Sequence, residues 1–384
     1  MMRWENYLMK HGKEFFTFWE ELLSEKDRNL LFVLGLGFDP RMCQGLETIL
    51  NAGGSGKRAC LLIEYDEGDN SPSKDYANLV QVNLQTLNKL LDGRGTIQRH
   101  QLQMWSNNGQ LGLGSQAYKV FKNSGELAEF TDIVVDISAM PKGIYLSIIA
   151  KLLALIDSSG KGKSYEPVDI PNLHVVVSEN ISLDKRIQQQ GLDEKATYLY
   201  GFSGEIGREG TPNVTKIWFP VLGEGKVTQL RRIHDYLDRP NEICPIVPSP
   251  SINPRRGDTL LLQEYRSLFF DELEVEPRNI IYASEQNPFE AYRQLHGTIC
   301  QYSTALKVLG GCNAFISPLS SKLLSIGSLL AAYEISQSHR LKQKGCPVGI
   351  VHVESRGYQM LNLEEKDNES ELFTLWLAGE CYEE

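Results

Sequence analysis

Short unbroken apolar runs recur along the chain, separated by segments of helical period. Leu30–Leu34, Ala59–Ile63, Ile133–Ile137 and His174–Val177 predict strands, with a weaker one at Thr96–Met104. Met42–Asn51, Tyr76–Leu91 and Ile144–Ile156 lie between them with helical patterns. Strands that are apolar throughout, not alternating, are covered on both faces, so this alternation predicts an open parallel sheet. Upstream, Phe15, Phe18, Trp19, Leu22 and Leu23 make one apolar helix face.

After residue 180 the texture turns polar and glycine-rich, and then the alternation restarts. Lys216–Leu222, Ile243–Val247, Asn279–Ala283, Ala314–Ser317 and Val348–Val353 predict five more strands. Val227–Leu237, Thr259–Phe270, Pro288–Leu306 and Lys322–Glu334 predict the helices between them. The expected organisation is an amphipathic helix in 1–27, a Rossmann-like domain in 28–180 and a connector in 181–214. A second Rossmann-like domain in 215–358 and an acidic tail in 359–384, with one apolar patch at Leu372–Leu377, complete it. The fold class is α/β, with two tandem Rossmann-like open parallel sheets.

The two series share details. Val33-Leu34-Gly35-Leu36-Gly37 matches Val221-Leu222-Gly223-Glu224-Gly225, and Ile137-Ser138 matches Ile316-Ser317. Each Ile-Ser pair precedes a lysine, Lys142 or Lys322, and then an apolar helix. This predicts a tandem duplication with a pseudo-twofold relation. Two unrelated α/β domains are the alternative.

The chain has 384 residues, a formal net charge of −10, 41% hydrophobic and 23% charged residues. That composition excludes a disordered or fibrous chain, and the acidic balance disfavours binding long nucleic acid, which needs phosphate-neutralising cations. The longest apolar stretch, Ile144–Ile156, is interrupted by Lys151 and falls short of the ~20 residues a bilayer needs. Glu5, Lys10 and Glu14 interrupt any secretory core. Seven cysteines and seven histidines are scattered without a CxxC, HxxxH or HxH. Reduced thiols in a cytoplasmic protein are expected, with no metal site.

Candidate chemistry gathers after the strands, where ligands bind in open α/β sheets. Gly35 and Gly37 allow a tight turn and close backbone approach, although Pro40 breaks a GxGxxG fingerprint. Asp39 can cap the following helix, and Arg41 is a cation that capping does not require. Asp136-Ile137-Ser138-Ala139-Met140-Pro141-Lys142-Gly143 joins a strand to a helix with a hydroxyl and a lysine at the turn. Ser317-Pro318-Leu319-Ser320-Ser321-Lys322 repeats that arrangement. Either could hold a phosphate or carboxylate, or simply cap a helix. The proline-rich loop 248–258 carries Arg255 and Arg256, suited to forked anion contacts or to a salt bridge with Asp258. Asp39, Asp136, Glu285 and Glu354 are the candidate catalytic carboxylates. No GxSxG, HExxH, Walker A or kinase motif occurs.

Ser138–Gly143 and Ser317–Lys322 resemble the ligand loop of CARF domains, and two such halves in one chain are similar to SAVED domains. The resemblance implies a cyclic-oligonucleotide ligand, a role in defence, and a separate effector protein, since no nuclease or protease motif is present. The turn Gly35–Asp39 also resembles motif I of class I methyltransferases.

The leading expectation is a sensor or regulatory subunit that binds an anionic, nucleotide-type ligand between two lobes. Gly35, Gly37, Arg41, Ser138, Lys142, Arg255, Arg256, Ser317 and Lys322 are its candidate contacts. The alternatives are a transferase or hydrolase acting on a nucleotide, sugar-nucleotide or S-adenosylmethionine, and a scaffold subunit of a protein complex.

Overall fold

The computed structural model describes residues 2–66, 68, 71–103, 112–159, 170–203, 214–341, 345–361 and 370–382. In chain order its strands are β1 Leu8–His11, β2 Leu30–Gly35, β3 Arg58–Asp66, β4 Thr96–Gln103, β5 Asp132–Asp136 and β6 Asn172–Glu179. Then come β7 Ile187–Leu192, β8 Thr197–Tyr198, β9 Thr215–Val221, β10 Glu242–Ile243 and β11 Ile246–Pro248. β12 Ile281–Ala283, β13 Cys312–Pro318, β14 Val348–His352, β15 Ser355–Met360 and β16 Glu371–Ala378 complete the order. The chain forms two compact units, one of residues 7–192 with 355–384 and the other of residues 1–6 with 193–354.

In the first unit the sheet runs β1-β16-β6-β5-β2-β3-β4. β6, β5, β2, β3 and β4 are mutually parallel. In the second unit the order is β12-β11-β9-β13-β14-β8, with β10 also on β9. There β12, β11, β9, β13 and β14 are parallel and β8 is antiparallel. Numbered within each unit, both parallel sheets follow the order 3-2-1-4-5, with an antiparallel strand beside the fifth. The α/β class with two largely parallel sheets is what the alternating pattern requires. Every residue of β2, β5 and β13 is buried, which explains their unbroken apolar runs.

Several expected boundaries move. The acidic tail is not a tail: β16 lies between β1 and β6, antiparallel to both. Six consecutive residues, Phe373–Ala378, are buried there, so the apolar patch at 372–377 is a core strand. The segment 1–27 is not one helix. Leu8–His11 pairs with β16, and the helix is Lys13–Glu25, burying Phe15, Trp19, Leu22 and Leu23. The connector is structured in part, with a helix at Ile181–Arg186 and β7 paired to β15. The strand expected at 243–247 breaks into β10 and β11 around Pro245, which has no N–H for a ladder. Over 256–272 a short helix at Arg256–Thr259 gives way to wider turns at Leu260–Glu264 and Ser267–Glu272.

The N-terminal end of the first sheet is closed by buried charge. Asp132 accepts from Arg28 Nη1 at 3.2 Å, Asn172 Nδ2 at 2.9 Å and Thr131 Oγ1 at 2.7 Å. His174 Nε2 lies 3.0 Å from the same carboxylate. Burial would raise the Asp132 pKa, but His174, Thr131 and Arg28 outweigh it and hold the carboxyl well below its ordinary range. Among the described residues no helix is long and apolar enough to cross a membrane.

Candidate functional site

In an open sheet of order 3-2-1-4-5 the crevice lies where the first and fourth strands diverge, at their C-terminal ends. In the first unit this is the gap between the loops after β2 and β5. In the second it is the gap between the loops after β9 and β13. Glycine lets each pair of loops touch. A Cβ on Gly35 would stand 2.6 Å from Met140 Cγ and 3.5 Å from the Ala139 carbonyl oxygen. A Cβ on Gly223 would stand 2.6 Å from the Leu319 carbonyl oxygen and 2.9 Å from Ser320 Cα. Gly37 has the same role against Tyr65 Oη, at 2.8 Å. The repeated glycines thus serve close loop packing.

Ser138 and Ser317 are fully buried and turned into the fold. The Ser138 hydroxyl accepts from the Ser178 backbone N–H at 2.9 Å, and the Ser138 N–H donates to Asp136. The Ser317 hydroxyl accepts from Trp218 Nε1 at 2.9 Å. Both expected hydroxyl contacts therefore tie neighbouring strands together.

The arginines divide differently. Arg41 is buried, and its guanidinium donates to Asp39 and Asp184 at 2.8 Å each and to the Ser178 carbonyl at 3.1 Å. Burial alone would depress its pKa, but Asp39 and Asp184 raise it on balance. Asp39 is held in the same pair and also caps the Arg41 N–H, so neither side chain is disposed as a base or an open anion contact. Arg256 repeats the device in the second unit. It forks onto Glu224 at 2.7 and 2.6 Å and pairs with Glu285. Glu285 in turn accepts from Ile252 N–H at 2.9 Å, pinning the proline-rich loop. Arg255 is exposed, and its backbone N–H donates to Asn253.

Asp136 is buried facing the helix Gln44–Asn51, where a Cβ on Gly45 would collide with its carboxylate. Glu354 is half-buried, 3.5 Å from His352 Nε2. Lys142 and Lys322 are half-buried first residues of helices that run 18 and 19 residues. Ser321 caps the second helix by accepting from Leu324 N–H at 3.3 Å.

Glu224, Asp184, Tyr265 and Lys226 were not singled out from sequence as side chains of the site. Tyr265 donates to the Gly223 carbonyl, and its oxygen accepts from the Lys226 N–H at 3.1 Å, fixing the loop after β9. Burial lowers the Lys226 pKa, opposed by Glu224 and Glu264. The alternation that marks a strand does not report such cross-loop partners, which lie tens of residues away. Among the described residues no cluster of His, Cys, Asp and Glu is arranged to hold a metal ion.

No known protein-family model matches the chain. No curated protein matches it. Among solved structures it is similar to a type III CRISPR defence DNA nuclease activated by cyclic oligoadenylate, at 10% identity and TM-score 0.42. That match covers 79% of this chain and 63% of the nuclease. It is also similar to a SAM-dependent O-methyltransferase from Thermotoga maritima, at 14% identity and TM-score 0.21, over 48% of this chain and 56% of that one. A functionally unknown protein from Pseudomonas aeruginosa PAO1 matches at 9% identity and TM-score 0.20, over 83% and 91%. The chain spans less than two thirds of the length of the first two.

Proposed function

We propose that the protein is a sensor whose switch-point loops bind a small anionic, nucleotide-type ligand, with Lys142 and Lys322 as charge partners. One observation carries this reading. In both units the loop after the fourth strand delivers a lysine to the first position of a long helix whose first turn holds no acidic residue. A cation there opposes the positive end of the helix dipole, at about 0.3–1 kcal/mol each. The helix dipole disfavours that placement, whereas a bound anion would be attracted by both the lysine and the helix end. Arg255, exposed beside the same edge of the second sheet, is a further candidate contact. Arg41, Arg256, Ser138 and Ser317 support the loops from within, as Gly35 and Gly37 do.

The nucleotide class comes from the resemblance of Ser138–Gly143 and Ser317–Lys322 to CARF ligand loops, and with it the expectation of a separate effector in a defence response. The carboxylates offered for catalysis give less support to an enzyme, since Asp39 and Glu285 are both engaged by arginines. Calorimetric titration with cyclic oligoadenylates, linear oligoadenylates, ATP and S-adenosylmethionine tests the reading. Saturable binding of one nucleotide, weakened about tenfold or more by Lys322→Gln or Lys142→Gln, supports it. Binding unchanged in the double variant, or no binding across the panel, overturns it.

A further inference from the structure

The second unit gathers three of the seven cysteines at the end of its sheet away from the loops. Cys312 opens β13, and Cys346 lies two residues before β14. Ala314 pairs with Val348 in the parallel register, so continuing the ladder by two residues sets Cys312 opposite Cys346. The Ala314 N–H donates to the Pro347 carbonyl at 3.0 Å, which keeps the strands together up to that point. That register places the two side chains on one face of adjacent strands. Both are buried, and no disulfide joins them. Cys300, on the helix Pro288–Ala305, is only half-buried and near enough for its charge to oppose ionisation of Cys346.

We propose that Cys312 and Cys346 form a reversible disulfide when hydrogen peroxide oxidises Cys312. The Cys312 thiolate attacks the peroxide O–O bond, giving a sulfenic acid and hydroxide, which takes a proton to become water. Cys346 attacks the Cys312 sulfur, its own proton leaving with the sulfenic oxygen as a second water. The sum is two thiols and one hydrogen peroxide to one disulfide and two waters. Cys312 suits the first step, because Cys346 beside it eases its ionisation against the opposing effect of burial. Adjacent in-register strands bring Cα atoms into the 4.4–6.8 Å range that disulfides use.

This inference is independent of anion binding. Its consequence is local: the new bond would lock β13, which ends in the Ser317–Lys322 loop, to β14. The full-length protein is treated with hydrogen peroxide, unreacted thiols are alkylated under denaturing conditions, and peptides are mapped by mass spectrometry. The expected product is a dithiothreitol-sensitive crosslink of Cys312 to Cys346, absent from Cys312→Ala and still formed in Cys300→Ser. Cys312 and Cys346 remaining alkylatable while exposed Cys381 is oxidised would overturn the disulfide. Loss of the crosslink in Cys300→Ser would overturn direct oxidation of Cys312. The wild-type map needs no variant to fold, and circular dichroism checks each substituted chain.

Discussion

Gly223 and Leu319 meet where the second sheet divides: a Cβ on the glycine would stand 2.6 Å from the leucine's carbonyl oxygen. Gly35 meets the first unit's equivalent loop at the same distance, but through Met140 Cγ. A methionine side chain can rotate away, whereas a carbonyl moves only with its backbone. Gly223→Ala should therefore destabilise the second unit by about 1–3 kcal/mol, and Gly35→Ala should destabilise the first by less. Urea denaturation of the two variants measures the difference. Equal losses would show that both loops yield alike.

Adjacent arginines should behave oppositely. Arg256→Ala strands Glu285, a buried carboxylate, and releases Glu224, so a loss of about 3 kcal/mol is expected. Arg255→Ala removes an exposed side chain and should change stability by less than about 0.5 kcal/mol. If Arg255 contacts ligand, its variant melts normally but binds more weakly. Melting curves and titrations on the same samples separate the two effects.

The lysines at the helix starts should matter more for binding than for stability. Without ligand, Lys142→Gln and Lys322→Gln each remove a cation from the positive end of a helix dipole, a gain of about 0.3–1 kcal/mol, and also lose the contact the lysine makes in the fold, so stability should change by less than about 1 kcal/mol. A larger fall in urea denaturation would show that the lysines serve the fold.

Asp132 gives the first unit an acid limb. Its folded pKa lies below the unfolded value of about 3.9, so its contribution is present above that pH and fades as pH drops toward the folded value. Stability should therefore fall from about pH 4 downward, and Asp132→Asn should flatten that limb. At neutral pH the same variant leaves Arg28 buried with one partner fewer and should cost about 3–5 kcal/mol. Denaturation midpoints across an acid series give both quantities.

β16 makes the C-terminal segment part of the first core. Leu375→Ala, at a fully buried site, should cost about 2–5 kcal/mol. Removal of residues 370–384 should abolish the first unit's cooperative unfolding. A truncated chain that unfolds as before would return the segment to the role of a tail.

The α/β class and most of the parallel strands were legible because the inner parallel strands bury both faces, and such strands must be apolar from end to end. β2, β5 and β13 are of this kind, and so are the helices at Lys142 and Lys322 that follow two of them. The turns after these strands were also legible, since glycine and proline there restrict the backbone locally. β16 was missed because its apolar run follows an acidic stretch at the far end of the chain. Its partners, Leu8–His11 and Asn172–Glu179, are remote in sequence.

By itself the sequence determined what depends on neighbours along the chain: strand and helix periods, the loop glycines, and the lysines that open the two helices after the fourth strands. Only the tertiary structure decided which polar groups already had partners. Ser138 and Ser317 looked like ligand hydroxyls until Ser178 and Trp218 stood against them. Arg41 and Arg256 looked like anion contacts until two carboxylates closed on each. The physical reason is range. A backbone preference is settled within a few residues, whereas a buried hydrogen bond or ion pair depends on groups that only the folded chain brings within about 3 Å.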